Sequence, residues 1–244
     1  YPSFNWLDYM FNPAFVQQHN LSIAGTTGKT SYNASLSMVN QPGTLKGSEF
    51  KRYNATLDLT SRVNDWVKIG MYFTGSRSNR QETRQGDTDA YLSTISQAPT
   101  YMPWLPDDGT GIKRYASKAF SFESNNKNMV AIVETENFKT NVNTDVNAQA
   151  WLEVNPIKGL TWYTKGAMRY KQQHEKIWGA MATPIYYYHD GKQNGTLNTG
   201  GTGLTSTMNN SSYYNLYTYL KYDWATPNKE HDFSVMAGYN MEYY

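Results

Sequence analysis

The chain has 244 residues, with 22 basic and 20 acidic side chains, 15% aromatic residues and no cysteine. The nearly balanced charge gives no basic surface for nucleic acid, and the lack of cysteine excludes disulfide scaffolds and cysteine-based zinc sites. The aromatic content is too high for a disordered chain, and no apolar run approaches the ~18 residues of a membrane-spanning helix. A membrane β-barrel is compatible with this composition, because its strands need only alternate.

Eight segments alternate apolar and polar side chains with a period of two, which predicts half-buried β-strands. The clearest alternation runs over Thr140–Val154, where even positions are mostly apolar and odd positions mostly polar. At about 3.4 Å per residue this segment would span roughly 50 Å, much longer than an ordinary globular strand. In chain order the predicted strands are His19–Gly25, Thr30–Val39, Arg52–Val63, Trp66–Arg77, Thr140–Val154, Leu160–Gln172, Tyr213–Trp224 and Phe233–Tyr243.

Short and long connections alternate between these strands. Short turns join the two strands of each successive pair, and longer segments separate the pairs, notably Ser78–Lys139 and Gln173–Ser212. In an antiparallel meander this order places the short turns at one end and the long loops at the other, which is the layout of an outer-membrane barrel. Within the longest loop, Gly86–Ala98 is predicted to hold a short helix that ends before Pro99, with Asp87 or Thr88 as its N-cap.

Aromatic residues on the apolar face have the spacing of the two girdles of a membrane barrel. Tyr214 and Trp224 are ten residues apart, as are Phe233 and Tyr243. Ten residues tilted by roughly 45° rise about 24 Å, close to the ~25 Å apolar band of such barrels. A soluble β-sandwich is an alternative, because it also hides one face of each strand. The residues predicted to point to lipid are Leu57, Leu59, Ile69, Met71, Val146, Ala148, Leu220 and Val235.

The polar face of the same strands would line the barrel lumen. Its predicted lumen-facing residues are Asp145, Gln149, Trp151, Lys165 and Arg169. The turn Asn155–Gly159 is predicted to be centred on Ile157. In that register Asp145 lies directly opposite Arg169, and such an opposite-charge pair would contribute roughly 0.2–1 kcal/mol. Gln149 then lies opposite Lys165.

The sequence contains no motif for catalysis, for a cofactor or for a metal. It has no Gly-x-Ser-x-Gly, no His-Glu-x-x-His and no phosphate loop, so neither an enzyme nor a cofactor is predicted. Exposed aromatic residues in long loops can bind sugars or a partner protein, or can instead anchor the loops to the barrel rim. The candidate ligand or partner contacts of this kind are Tyr101, Trp104, Tyr186 and Tyr187.

The N-terminal third carries a series of short motifs. They are Asn5-Trp6-Leu7-Asp8, Gln18-His19-Asn20-Leu21-Ser22-Ile23-Ala24-Gly25, Phe50-Lys51-Arg52-Tyr53 and Asp65-Trp66. Over residues 5–75 this series resembles the barrel domain of the SusC/RagA-type TonB-dependent transporters of Bacteroidetes outer membranes. Two departures occur: Asn5 stands where the family usually has Asp, and Ala24-Gly25 replaces a pair of glycines.

The resemblance implies an all-β fold, an antiparallel meander that is part of a transmembrane β-barrel of about 22 strands. Residues 1–244 would then be a partial barrel domain, with the plug and the remaining strands outside this sequence. The implied function is TonB-coupled import of an oligomeric nutrient, an oligosaccharide or an oligopeptide, across the bacterial outer membrane. A SusD-like surface lipoprotein would cover the mouth, and outer-membrane lipid would surround the strands. A soluble all-β carbohydrate-binding module and a small passive eight-stranded barrel are the alternatives.

Overall fold

A computed structural model of the chain describes residues 3–118, 128–135, 137–179, 183–197, 203–228 and 230–244. Within these ranges, eight long strands form one sheet and three short strands form another. The long strands are β1 (Gln17–Thr27), β2 (Thr30–Pro42), β3 (Glu49–Arg62), β4 (Val67–Thr83), β6 (Phe138–Val154), β7 (Leu160–Gly179), β10 (Gly203–Ala225) and β11 (Asp232–Tyr243). The short strands are β5 (Tyr115–Lys118), β8 (Pro184–Tyr187) and β9 (Gln193–Thr196), and the helices are α1 (Trp6–Met10), α2 (Asp87–Ile95) and α3 (Met129–Glu134).

The large sheet is an antiparallel meander in which each long strand pairs with the next long strand along the chain. Every predicted strand is present, so the all-β antiparallel fold is confirmed. Several strands are longer than predicted: β7 has 20 residues and β10 has 23. The additional residues lie at the end of the sheet near the long loops. Both faces are mostly polar there, so the alternation that predicts a strand is missing.

The pairing registers bring the apolar residues of neighbouring strands to one face, which we call the apolar face. Ala148 on β6, for example, lies opposite Phe73 on β4 and Met168 on β7. All eight residues predicted to point to lipid share this face. Leu220 is 51% exposed and Val235 is 60% exposed. In the described ranges the small sheet makes no extensive contact with the large one, so the apolar face is not covered as in a sandwich.

The hairpin between β6 and β7 differs from the predicted one, and the register centred on Ile157 is wrong. Asp145 pairs with Lys171, and Gln149 pairs with Ala167, a shift of two residues. The Leu160 N–H donates to the Ile157 carbonyl, and Gly159 has a φ of 87°. Glycine adopts that conformation without a steric penalty, so the turn closes over residues 157–160 and moves the register with it.

The buried core lies at the loop end of the molecule rather than within the large sheet. It joins α1 and α3 to α2 and to the loop between β2 and β3, and its buried members include Trp6, Met10, Leu45, Ala90, Met129, Val130 and Ile132. The Asn5 side chain accepts a hydrogen bond from the Asp8 N–H at the start of α1, and Asn128 caps α3 in the same way. We call this core with its loops the loop assembly.

Helix α2 confirms the helix predicted in the longest loop, although its N-cap is Gly86 rather than Asp87 or Thr88. Gly86 has a φ of 90°, which favours glycine at this position. None of the helices in the described part of the chain is long and apolar enough to cross a membrane.

The large sheet is open, with β1 and β11 as its two edges. These two strands do not pair with each other, and within the described residues nothing pairs with their outer sides. All 12 residues of β11 are exposed. Long unpaired edges of this kind are templates for pairing with a further strand.

Candidate functional site: the polar face and the loop assembly

The face opposite the apolar one carries charged, amide and aromatic side chains, and we call it the polar face. The five residues predicted to face a lumen share it by register, namely Asp145, Gln149, Trp151, Lys165 and Arg169. Whether this face encloses a lumen stays a prediction, because the sheet is open.

An ion pair fixes one cation on the polar face. Arg169 Nη2 donates to Asp145 Oδ2 at 2.7 Å, and Asn147 Nδ2 donates to Asp145 Oδ1 at 3.0 Å. The two charged residues interact diagonally across β6 and β7, because Asp145 lies directly opposite Lys171. The Arg169 side chain is 46% exposed, so solvent screens the pair and it contributes little to stability. Its main effect is to hold the guanidinium in one orientation.

An aromatic cluster lies on the polar face towards the short turns. The Tyr163 ring stacks on Trp151 and on Tyr219, with centroid distances of 6.0 and 5.2 Å. Trp151 lies over Gly70, where an added Cβ would be 2.2 Å from Trp151 Cε2. The cluster therefore depends on a glycine at position 70.

A groove of about 920 Å³ opens on the polar face across β6, β7 and β10. Small residues such as Ala167 and Ser211 lie along it, and tyrosine rings, amides and cations surround them. The larger lining residues of the polar face and the chain end are Tyr72, Asn147, Gln149, Arg169, Lys171, Tyr213 and Tyr244, and Met168 and Asn210 of the opposite face also line the groove. Aromatic rings with a few oriented polar groups are typical of sites for polar organic ligands, so this groove can accept part of a sugar or peptide chain.

The two long loops meet in the small sheet. Strand β5 from the first loop pairs in parallel with β8 from the second, and β8 pairs with β9. The tyrosines at positions 186 and 187 therefore belong to a separate sheet and do not extend β7. Trp104 forms an isolated bridge with Tyr115 at the start of β5, so three of the four candidate contact residues lie in or beside this sheet.

The loop aromatics are partly buried rather than free in solvent. The Trp104 ring packs on Phe4 and Tyr9, with centroids 5.4 and 5.7 Å away. The Trp6 indole N–H donates to the Tyr101 carbonyl oxygen at 3.0 Å. These contacts show that Trp104 and the Tyr101 backbone help to hold the loop assembly together. Contact of Tyr101, Trp104, Tyr186 and Tyr187 with a ligand or a partner stays a prediction.

The Glu134 carboxylate, which no sequence pattern indicates, joins three segments of the loop assembly. Glu134 accepts hydrogen bonds from the Tyr9 and Tyr115 hydroxyls and pairs with Lys113 Nζ at 2.9 Å. Burial raises the pKa of Glu134, but the three donors outweigh burial and hold the pKa below its usual range. Burial and the neighbouring Glu134 raise the pKa of Tyr115. Among the described residues, no group of His, Asp and Glu is arranged to hold a metal ion.

An open antiparallel sheet with an exposed apolar face and a grooved polar face has the architecture of a segment of a membrane β-barrel wall. Known proteins with a similar sequence or structure are transporters and receptors of the outer-membrane type. The chain is 31% identical to the TonB-dependent receptor P26 of Formosa agariphila over 110 residues, which is 45% of this chain and 11% of the relative. No protein-family model matches.

Solved structures extend the similarity to nearly the whole chain. The RagAB peptide transporter matches 99% of this chain with a TM-score of 0.65 and 18% identity. The RagAB peptide importer in its closed-closed state matches 98% with a TM-score of 0.64 and 18% identity. The chain spans 26% and 25% of those two chains. These similarities confirm the resemblance to the SusC/RagA-type TonB-dependent transporters that residues 5–75 show, and the fold is that of a segment of such a barrel. The full count of 22 strands stays a prediction.

Proposed function

We propose that this chain forms part of the wall of an outer-membrane transporter that imports an oligomeric nutrient, a glycan or a peptide. The observation that carries the proposal is the two-faced open sheet. Lipid would cover the exposed apolar face, and the groove on the polar face would line the path of the nutrient. Residues 1–244 would be a partial barrel domain, and the plug would belong to the rest of the protein.

The open edges support a barrel larger than these eight strands. In a closed eight-stranded barrel β1 would pair with β11, and it does not, which disfavours the small passive barrel. Apolar side chains on the outer surface of a soluble protein are rarely contiguous over such an area, which disfavours the soluble carbohydrate-binding module. Further strands on both sides would satisfy the edges and enclose the polar face.

Two partner proteins would supply the energy for transport and help to capture the nutrient. TonB would act through the plug, which is consistent with the similarity to a TonB-dependent receptor. A SusD-like surface lipoprotein would cover the mouth and contact the loop assembly. The partly buried aromatics Trp104 and Tyr186 are the residues that we expect at that contact, because they lie at the loop end of the barrel wall.

The experiment uses the full-length transporter in intact cells. Trp104→Ala and Tyr186→Ala should reduce both nutrient uptake and co-purification of the lipoprotein. Ile157→Ala removes a 60% exposed apolar side chain at a short turn, at the opposite end, and should change neither. Uptake should also fall to background in a strain without TonB. If the two aromatic variants assemble and behave like wild type, these residues only anchor the loops. TonB-independent uptake would contradict the proposed transport mechanism.

A further inference from the structure

Charged residues on the apolar face occur at one end only. In the eight described strands they are Glu49 and Lys51 on β3, Arg77 on β4 and Lys176 on β7. All four lie in the part of their strand that is nearest the long loops, and three of them are positive. The strand ends nearest the short turns carry no charge on this face. This asymmetry is not required for a sheet in lipid, which needs only an apolar band.

Arg77 and Lys176 are the two cations on this face that pair with no acidic side chain among the described residues, and only Arg77 has a tyrosine directly opposite it. The Arg77 side chain is exposed, and it makes no hydrogen bond or ion pair with a described residue. Lys51, by comparison, is paired with Glu49 at 2.5 Å. On the polar face of β4, the strand that carries Arg77, Arg80 Nη2 lies 3.2 Å from Glu82 Oε2. An exposed guanidinium with no counter-charge is suited to bind an anion from outside the chain.

The neighbours of Arg77 supply the rest of a phosphate site. Tyr53 lies directly opposite Arg77 on β3 and is 50% exposed. Lys51 is the next residue of β3 on the same face, so it is diagonal to Arg77 and within reach of the same ligand. A planar guanidinium matches two phosphate oxygens at once, and the Tyr53 hydroxyl can donate to the third. The Lys51 ammonium has three N–H donors, so it can also donate to the phosphate while it keeps its pair with Glu49.

The surface on the other side of Arg77 is apolar. Gly75 precedes Arg77 on this face and pairs with Ala55, and the Phe73 ring lies over Gly75, where an added Cβ would be 3.2 Å from the ring. A molecule with its phosphate on Arg77 would therefore lay any attached acyl chain along an apolar surface. A lipid has both parts, whereas free phosphate has only one.

We propose that Arg77, with Tyr53 and Lys51, binds the phosphate group of an anionic lipid in the outer leaflet. The inference rests on the membrane placement in the proposed function, with the long loops outside. Because the charged residues of the apolar face lie only near the long loops, the site would lie in the outer leaflet alone. A cation near the surface of an anionic membrane strengthens lipid binding by about fivefold.

The test uses the full-length transporter, purified in detergent, stripped of lipid and incubated with phosphatidylglycerol or phosphatidylcholine. Native mass spectrometry counts the bound lipids. Arg77→Ala should lower phosphatidylglycerol binding by about fivefold with little effect on phosphatidylcholine. Arg77→Lys keeps the charge but loses the two-oxygen contact, so its binding should lie between that of wild type and that of Arg77→Ala. Lys158→Ala removes one exposed positive charge from a short turn and should leave lipid binding unchanged. Resistance to unheated detergent on a gel verifies that each variant is folded.

Two results would overturn the site. If the Arg77→Ala variant is folded and still binds as much phosphatidylglycerol as wild type, Arg77 does not bind the lipid and the proposed site is wrong. Complete displacement of the lipid by inorganic phosphate would identify a free-phosphate site instead of a lipid site. A different result would contradict the proposed function. If the apolar face did not lie in a membrane, the wild-type protein would stay monodisperse without detergent. An effect confined to the Arg77 variants leaves the transport proposal intact.

Discussion

Arginine substitutions along β6 test whether the apolar face lies in lipid, and at which depth. Val142, Ala148 and Val154 lie on this face of one strand. Six residues at about 3.4 Å, tilted by roughly 45°, separate each valine from Ala148 by about 14 Å along the membrane normal. The apolar band of such barrels is about 25 Å tall, so Ala148 would lie near the midplane and the two valines near the rims.

We expect Ala148→Arg to lower the free energy of unfolding by roughly 2–4 kcal/mol, and Val142→Arg or Val154→Arg by about 0–1 kcal/mol. Phe73 and Met168 flank Ala148 and offer the guanidinium no strong acceptor, so the charge would enter hydrocarbon unpaired. Gln149→Arg is the matched control on the polar face, and its effect should stay within about 0.5 kcal/mol.

The assay is urea unfolding of the full-length transporter in phosphatidylcholine vesicles, followed by tryptophan fluorescence. The quantity compared is the free energy of unfolding from the midpoint and slope of each variant. Equal values for Ala148→Arg and Gln149→Arg would refute the assignment of the apolar face to lipid. A larger loss at Val142 or Val154 than at Ala148 would refute the depth assignment.

Two further predictions concern the polar face and the loop assembly. Gly70→Ala should destabilise the barrel by about 1–3 kcal/mol in the same titration, because its Cβ would lie 2.2 Å from the Trp151 ring. Gly166→Ala, whose Cβ would have no atom within 4 Å, should be neutral or slightly stabilising, and equal losses at both glycines would contradict this. Because the pKa of Glu134 is lowered, its contribution to stability is present above the ordinary carboxyl pKa of about 4.3 and is lost as the pH falls through the lowered value. Limited proteolysis of the wild-type loops should therefore become faster in acid. The Glu134→Gln variant should already be cut faster than wild type at neutral pH. Equal cleavage rates of the two proteins at neutral pH would exclude a stabilising role of the Glu134 carboxylate.

The sequence predicts the membrane-facing part of the fold well, because one face of each strand there is apolar and the other polar. Over Thr140–Val154 this alternation is enough to assign the strand and both of its faces. Beyond Gln172 the alternation ends, and the prediction stops short of Gly179. Those residues are held by backbone pairing to β6 and β10, and backbone pairing leaves no signal in side-chain polarity.

The loop assembly was much harder to predict for physical reasons. Helices α1 and α3 have five and six residues, which is too few to show a helical period. Trp104 is recognisable as an aromatic loop residue, but its packing on Phe4 and Tyr9 joins segments that are distant in the sequence. Glu134 has no local pattern at all, since its three donors come from other segments. The turn at Gly159 depended on a single positive φ.

The unpaired edges of the sheet have a consequence for folding. Pairing between successive strands closes comparatively short loops, so each hairpin gains its contacts early and at a low entropic cost. In the larger barrel proposed above, the strands next to β1 and β11 along the chain would pair with them in the same way, and only the two outermost strands of the whole barrel would have to join across a long chain. Joining ends across a longer chain costs more entropy. The seam of the barrel is therefore expected to seal last, and until it does its two edges are the places where a chaperone must prevent pairing with the wrong partner.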